Sequence, residues 1–249
     1  MVISKQFISR ITLLRERVDS FGQYPFSLDA VKALDFFEPH PRVTFIVGEN
    51  GSGKSTLLEA IAIAMGFNPE GGSKNFQFDT RPSHSNLSEY LRISKGLGRP
   101  KGGFFLRAES FFNVATTIER LDAEPSSGPR IIDSYGGISL HEQSHGESFM
   151  ALLTKRFWGG GLYLLDEPEA ALSAQRQLEA VGRIHSLASD GSQFIIATHS
   201  PILLAYPYST ILQIGRGGIS CVPYRETEIY KAYCEFIRNP ELSISSVIK

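Results

Sequence analysis

The stretch GENGSGKST, Gly48 to Thr56, directly follows the apolar run VTFIV and fits the spacing G-x-x-x-x-G-K-[ST] in full. That run narrows the folds open to the chain. Its glycines let successive backbone N–H groups turn inward around a phosphate, which works when a buried strand precedes the loop and a helix follows it. STLLEAIAIAM, Ser55 to Met65 and closed by Gly66, has the helix pattern, and its N-terminal dipole adds to the pull on an anion. Gly48, Glu49, Asn50, Gly51, Ser52, Gly53, Lys54, Ser55 and Thr56 are therefore the expected nucleotide-binding residues. Lys54 would reach the β- and γ-phosphates, and Ser55 would offer its hydroxyl to Mg2+.

The rest of the chain repeats the same grammar. VISKQFISRITLLRERV alternates as one or two strands with Ile8, Ile11 and Leu13 inward, and VKALDFF reads as a short helix. Residues from about 70 to 145 are loop-rich, with a short helix expected at Leu87–Ile93 and a strand at Phe104–Arg107. A helix over Glu147–Phe157 leads to the apolar strand LYLLD. The helix Ala174–Ala188 and the strand QFIIA follow, then a strand at Ile211–Ile214 and a helix at Thr227–Ile237. Apolar strands alternating with helices predict an α/β fold with a mostly parallel central sheet covered on both faces, plus an N-terminal antiparallel part. At 249 residues the chain is read as one domain, 1–249.

Three further motifs bear on chemistry. LYLLDEPEAALS ends a buried strand in Asp166, at the edge where open α/β sheets bind ligands, so Asp166 is the expected Mg2+ ligand. Glu167, one residue on, is the natural group to orient or deprotonate an attacking water. IIATHSP places His199 at the end of another apolar strand, within reach of a γ-phosphate. QSHGES opens a helix. Ser144 with Glu147 at the third helical position reads as a capping box, while Ser144, Gly146 and the helix start also suit an anion.

In order, a phosphate loop, an S-x-G-E helix start, an apolar strand ending in DE and a histidine at a strand end resemble the ABC-type ATPases. The resemblance spans residues 43–201. The signature departs from the transporter LSGGQ. Its closing glutamate, Glu147, and the run DEPEAAL are more similar to the SMC/RecF-like branch, and the whole resembles the small bacterial AAA-family ATPases of that branch. The resemblance implies ATP and Mg2+ as cofactors, Lys54, Glu167 and His199 as catalytic residues, and Ser55 and Asp166 at the metal. It also implies a head-to-tail homodimer, in which Ser144, Gly146 and Glu147 of one copy complete the site of the other. A glutamine-bearing loop should follow a strand end; Arg107 and Glu109 stand there instead, with Gln77 as the alternative. Tyr24, Phe26 and Arg15 are the candidates for the adenine contact.

The expected function is ATP binding and hydrolysis coupled to a DNA-related, nuclease or defence/repair partner. The alternatives are the nucleotide-binding subunit of an ABC transporter and an ATP-dependent dimerisation switch. The net charge of −1 argues against a surface built throughout for nucleic acid. The 90 residues from Lys54 to Ser144 (144 − 54) carry no heptads, unlike the coiled-coil insertions of SMC proteins. Two cysteines make no disulfide framework, and no window approaches the ~18 apolar residues of a membrane span. A cytoplasmic protein without direct membrane insertion is expected.

Overall fold

The computed structural model describes residues 6–74, 85–107, 111–124, 128–215, 218–245 and 247–248. In chain order the first half comprises β1 (Ile8–Leu13), α1 (Asp29–Lys32), β2 (Phe36–Phe37), β3 (Val43–Val47), α2 (Lys54–Ala64), β4 (Leu91–Lys95), β5 (Gly102–Arg107) and α3 (Phe111–Ala123). The second half comprises α4 (His145–Ala151), β6 (Gly161–Asp166), α5 (Ala174–Ser189), β7 (Gln193–Ala197) and α6 (Pro201–Leu204). It closes with β8 (Ser209–Gly215), β9 (Gly218–Cys221), α7 (Glu228–Arg238) and α8 (Pro240–Ser245).

Six of the described strands form one sheet in the order β5-β6-β7-β3-β8-β9, parallel throughout except for β9. The apolar strands at its centre are buried on both faces, and their alternation sorts side chains into two cores. Val43, Phe45, Tyr163, Leu165, Phe194 and Ile196 face the core shared with α3, α4, α5 and α6. Ile46, Leu162, Leu164, Ile195 and Ala197 face the core shared with α2 and the N-terminal sheet. Phe157 stacks on Tyr163 at 4.1 Å between centroids, and Tyr163 lies 5.0 Å from Phe194. Such pairs add ~0.5–1.5 kcal/mol each beyond the area they bury.

The N-terminal sheet, β2-β1-β4, is antiparallel and buries Ile8, Ile11 and Leu13 as the alternation predicts. Gln193, buried at the start of β7, joins this sheet to the central one. Its Oε1 accepts from the Phe7 and Ile8 N–H groups at 3.0 and 2.9 Å. Its Nε2 donates to the Ile8 and His40 carbonyls at 3.0 and 3.1 Å.

Three local expectations change. The helix expected at Leu87–Ile93 is a 3-10 turn over Asn86–Tyr90 running into β4, because Leu91–Leu13 and Ile93–Ile11 pair across strands far apart in sequence. VKALDFF contributes the end of the single turn α1 and then β2, which pairs with β1. The helix expected at Glu147–Phe157 begins two residues earlier, at His145, where Ser144 caps it. It widens to a π-turn over Leu152–Arg156 before Phe157.

Candidate nucleotide site

The phosphate loop leaves β3 at Val47 and enters α2 at Lys54. Gly51 and Gly53 have φ of 78° and 96°, a left-handed backbone that other residues adopt at a cost. Gly53 is doubly constrained, since a Cβ there would lie 2.9 Å from the Leu28 Cβ. The loop is braced from the same side by the Ala30 N–H, which donates to the Ser52 carbonyl at 2.9 Å. Lys54 is buried, and its Nζ donates to the Gly48 and Glu49 carbonyls at 3.0 Å each. Burial holds its pKa below the ordinary lysine value, against the opposing pull of Glu167, Asp166 and Glu169. An ammonium folded onto its own loop in a site rich in carboxylates is placed to transfer to phosphate oxygens.

The sheet register brings the other groups level with that loop. Asp166 at the end of β6 lies opposite Arg107 of β5 and Ala197 of β7, and Ala197 lies opposite Ile46 of β3. The Ser55 hydroxyl, in the first turn of α2, donates to Asp166 Oδ1 at 3.0 Å. Two hard oxygen donors side by side suit Mg2+. No group of three or more His, Cys, Asp or Glu that could hold a metal occurs among the described residues. Mg2+ commonly takes one or two protein oxygens and completes its shell with water and phosphate.

Glu167 has φ 48° and ψ 52°, the one non-glycine residue with positive φ among the described residues. Such a conformation costs ~1–3 kcal/mol and marks functional turns. Here it turns the chain under the end of β7, where the Glu167 N–H donates to the Ala197 carbonyl at 2.9 Å. Glu167 Oε1 then stands 3.8 Å from His199 Nε2. The His199 N–H donates to Glu169 Oε1 at 2.5 Å. Burial first, and then the Lys54 cation, hold the His199 pKa below the ordinary histidine value, opposed by Glu167 and Glu169, which favours the neutral ring. Val47, Gly48, Glu49, Asn50 and His199 line one wall of a cavity of about 630 Å3. Gln213 of β8 and Glu228, Ile229, Ala232 and Tyr233 of α7 complete its lining.

The segment around Ser144 opens α4. Ser144 and Glu147 form the expected capping box: Ser144 Oγ accepts from the Glu147 N–H at 3.3 Å, and Glu147 Oε2 accepts from the Ser144 N–H at 3.0 Å. These bonds hold the Glu147 carboxyl below its usual range. Ser144, His145 and Glu147 are exposed. Gly146 packs against the turn after β6, where a Cβ would lie 2.7 Å from the Ala171 carbonyl oxygen.

Other candidates are placed less centrally. Arg107 pairs with Glu59 of α2 at 2.6 Å; Glu109 and Gln77 lie outside the described residues. Phe26 is core, edge-on to Tyr90 at 4.7 Å between centroids. Arg15 binds the Lys32 and Leu34 carbonyls and covers the Phe21 ring, which leaves Tyr24 as the exposed aromatic of the three adenine candidates. Glu59 was not singled out from sequence, and Glu169 stood out there only as part of the DEPEAAL resemblance, without a contact at the site. Glu59 had a visible signal, a lone charge inside the apolar run LLEAIAIA.

A family model described as "AAA domain" matches residues 17–134, which include the phosphate loop. Ribose import ATP-binding protein RbsA of Shigella dysenteriae is 25% identical over 208 residues, covering 75% of this chain and 39% of that protein. Hemin import ATP-binding protein HmuV of Idiomarina loihiensis is 24% identical over 214 residues, covering 81% and 82%. The chain thus spans about two fifths of the length of the ribose import relatives it matches. Among solved structures, the ADP conformation of an ATP-binding cassette of an ABC transporter aligns with TM-score 0.47 and 18% identity, covering 98% of this chain and 100% of that one. With its phosphate loop, acidic strand end and histidine in that order, and with these relatives, the chain is similar to the P-loop ATPases of the ABC type.

Proposed function

We propose that the chain binds ATP with Mg2+ and hydrolyses it at a site that two copies share head to tail. The observation that carries this reading is the convergence of Lys54, Ser55, Asp166, Glu167 and His199 at neighbouring strand ends. Gly48–Thr56 would bind the phosphates, with Lys54 moving from its loop carbonyls to the β- and γ-phosphates. Ser55 and Asp166 would hold Mg2+, which when bound neutralises phosphate charge. Glu167 orients water and accepts its proton, and the neutral His199 ring steadies the γ-phosphate. The exposed Ser144 hydroxyl, with Gly146 and Glu147, is available to the site of a second copy.

Glu167→Gln should bind ATP and stall, giving a dimer on size exclusion with ATP and Mg2+. A Glu167→Gln chain that stays monomeric under conditions where wild type dimerises would count against the shared site. Retention of both Asp166 and Glu167 favours turnover over a switch that only binds.

For the load, Glu147 and DEPEAAL support the SMC/RecF-like branch and a DNA, nuclease or repair partner in the cytoplasm. A transporter subunit is the second reading, favoured by relatives whose names are import ATP-binding proteins. No described helix is long and apolar enough to cross a membrane, so in that reading a separate subunit would do so. Capture of partners by Glu167→Gln with ATP separates the two: a permease supports transport, whereas a nuclease or DNA-dependent stimulation of ATPase rate supports the first.

A further inference from the structure

The turn after β6 carries a third carboxylate whose position the hydrolysis scheme does not use. Glu169 Oε1 accepts the His199 backbone N–H at 2.5 Å, a charge-assisted bond to the residue that faces Glu167. Glu169 Oε2 is buried and has no hydrogen-bond partner among the described residues. A buried carboxylate oxygen without a donor is costly, and such groups call for an explanation. Glu169 also stands close enough to Lys54 and His199 to act on both electrostatically.

The turn's geometry links these residues mechanically. The left-handed backbone at Glu167 sends the chain into the 3-10 turn Pro168–Ala171, which returns Glu169 to the His199 loop. The same peptide segment thus touches β7 and its loop twice, at Ala197 through the Glu167 N–H and at His199 through the Glu169 carboxylate. Between those two ties, the Glu167 carboxylate and the His199 ring are held 3.8 Å apart. Loosening the second tie frees the His199 backbone to move relative to Glu167, while the phosphate loop keeps its own bracing through Ala30 and Leu28.

We infer that Glu169 is a positioning residue, fixing the His199 backbone so that ring and Glu167 carboxylate meet the γ-phosphate together. The inference rests on the ATPase reading above. Two conservative variants separate reach from charge. Glu169→Gln keeps an oxygen at the same distance and loses the charge, whereas Glu169→Asp keeps the charge and is one methylene too short. Positioning predicts that Glu169→Asp loses ~10–100-fold in kcat, with binding of a fluorescent ATP analogue within about threefold of wild type. Glu169→Gln should retain kcat within about fivefold. An active Asp variant with a slow Gln variant would show that charge matters and overturn the inference, as would two variants at wild-type rate, or losses confined to analogue binding. Lys54→Ala and Glu167→Gln run beside them: if these too hydrolyse ATP normally, the ATPase reading itself fails. If they are inactive while both Glu169 variants are normal, only the role of Glu169 fails.

Discussion

Replacing Gln193 with alanine perturbs one side chain and breaks the joint between the two sheets. Gln193 is 1% exposed and makes four hydrogen bonds, to the Phe7 and Ile8 N–H groups and to the Ile8 and His40 carbonyls. Each backbone group left buried without a partner costs ~1–3 kcal/mol, and some of the four can recover water near the rim, so the total is roughly 3–6 kcal/mol. That is a large share of the ~5–15 kcal/mol that typical domains possess. At ~2–4 °C per kcal/mol for a domain of this size, the melting midpoint should fall by roughly 6–24 °C. Urea unfolding followed by circular dichroism gives the free energy directly, and an unchanged slope would confirm that the unfolded surface is the same. The strand pairing of β7 with β3 and β6 does not use this amide, so ATP binding per folded molecule should stay within about twofold. A loss under ~1 kcal/mol would show that water replaces the amide at no cost and that Gln193 is not the joint.

Two other substitutions test neighbouring parts of the account. Gly146→Ala drives a methyl to 2.7 Å from the Ala171 carbonyl, so α4 must shift from the turn bearing Glu167 and Glu169. A loss of ~1–3 kcal/mol and a slower ATPase with unchanged ATP binding are expected, and an unaltered melting midpoint would refute the close packing. Tyr163→Phe orphans the Trp158 N–H, which donates to the phenol at 2.9 Å, at ~1–3 kcal/mol by urea titration. Burial raises the Tyr163 pKa from 10.0 to about 12. The neutral phenol therefore contributes stability that is full below pH 10 and lost as pH rises towards about 12. That alkaline loss should shrink in Tyr163→Phe, and an identical pH profile would contradict the assignment.

Much of the architecture could be read from the sequence because its signals are local. The run VTFIV-GENGSGKS-TLLEAIAIA sets strand, loop and helix within one segment, and LYLLD and QFIIA declare strands buried on both faces. What escaped depends on distant partners. Leu91–Ile93 has no strand signal of its own and becomes one through pairing with β1, some eighty residues earlier. Phe36–Phe37 is too short to announce itself, yet it edges the same sheet. In the site, the positions of Asp166, Glu167 and His199 were legible because each lies at or just beyond the end of an apolar strand. The contact of Glu169 with the His199 N–H was not, because it follows from a left-handed turn at Glu167 that no residue type there demands.

The shared site is tested most directly by mixing two inactive chains. Lys54→Ala disables the phosphate loop and leaves Ser144–Glu147 intact; Ser144→Arg does the reverse. In a head-to-tail dimer, the mixed pair joins the sound loop of one chain to the sound signature of the other. Equal mixing should then restore about a quarter of the wild-type ATPase rate, since about half the dimers are mixed and each has one intact site of two. A mixture no more active than its separate components, under conditions where mixed dimers form, would place the whole site within one chain and contradict the account.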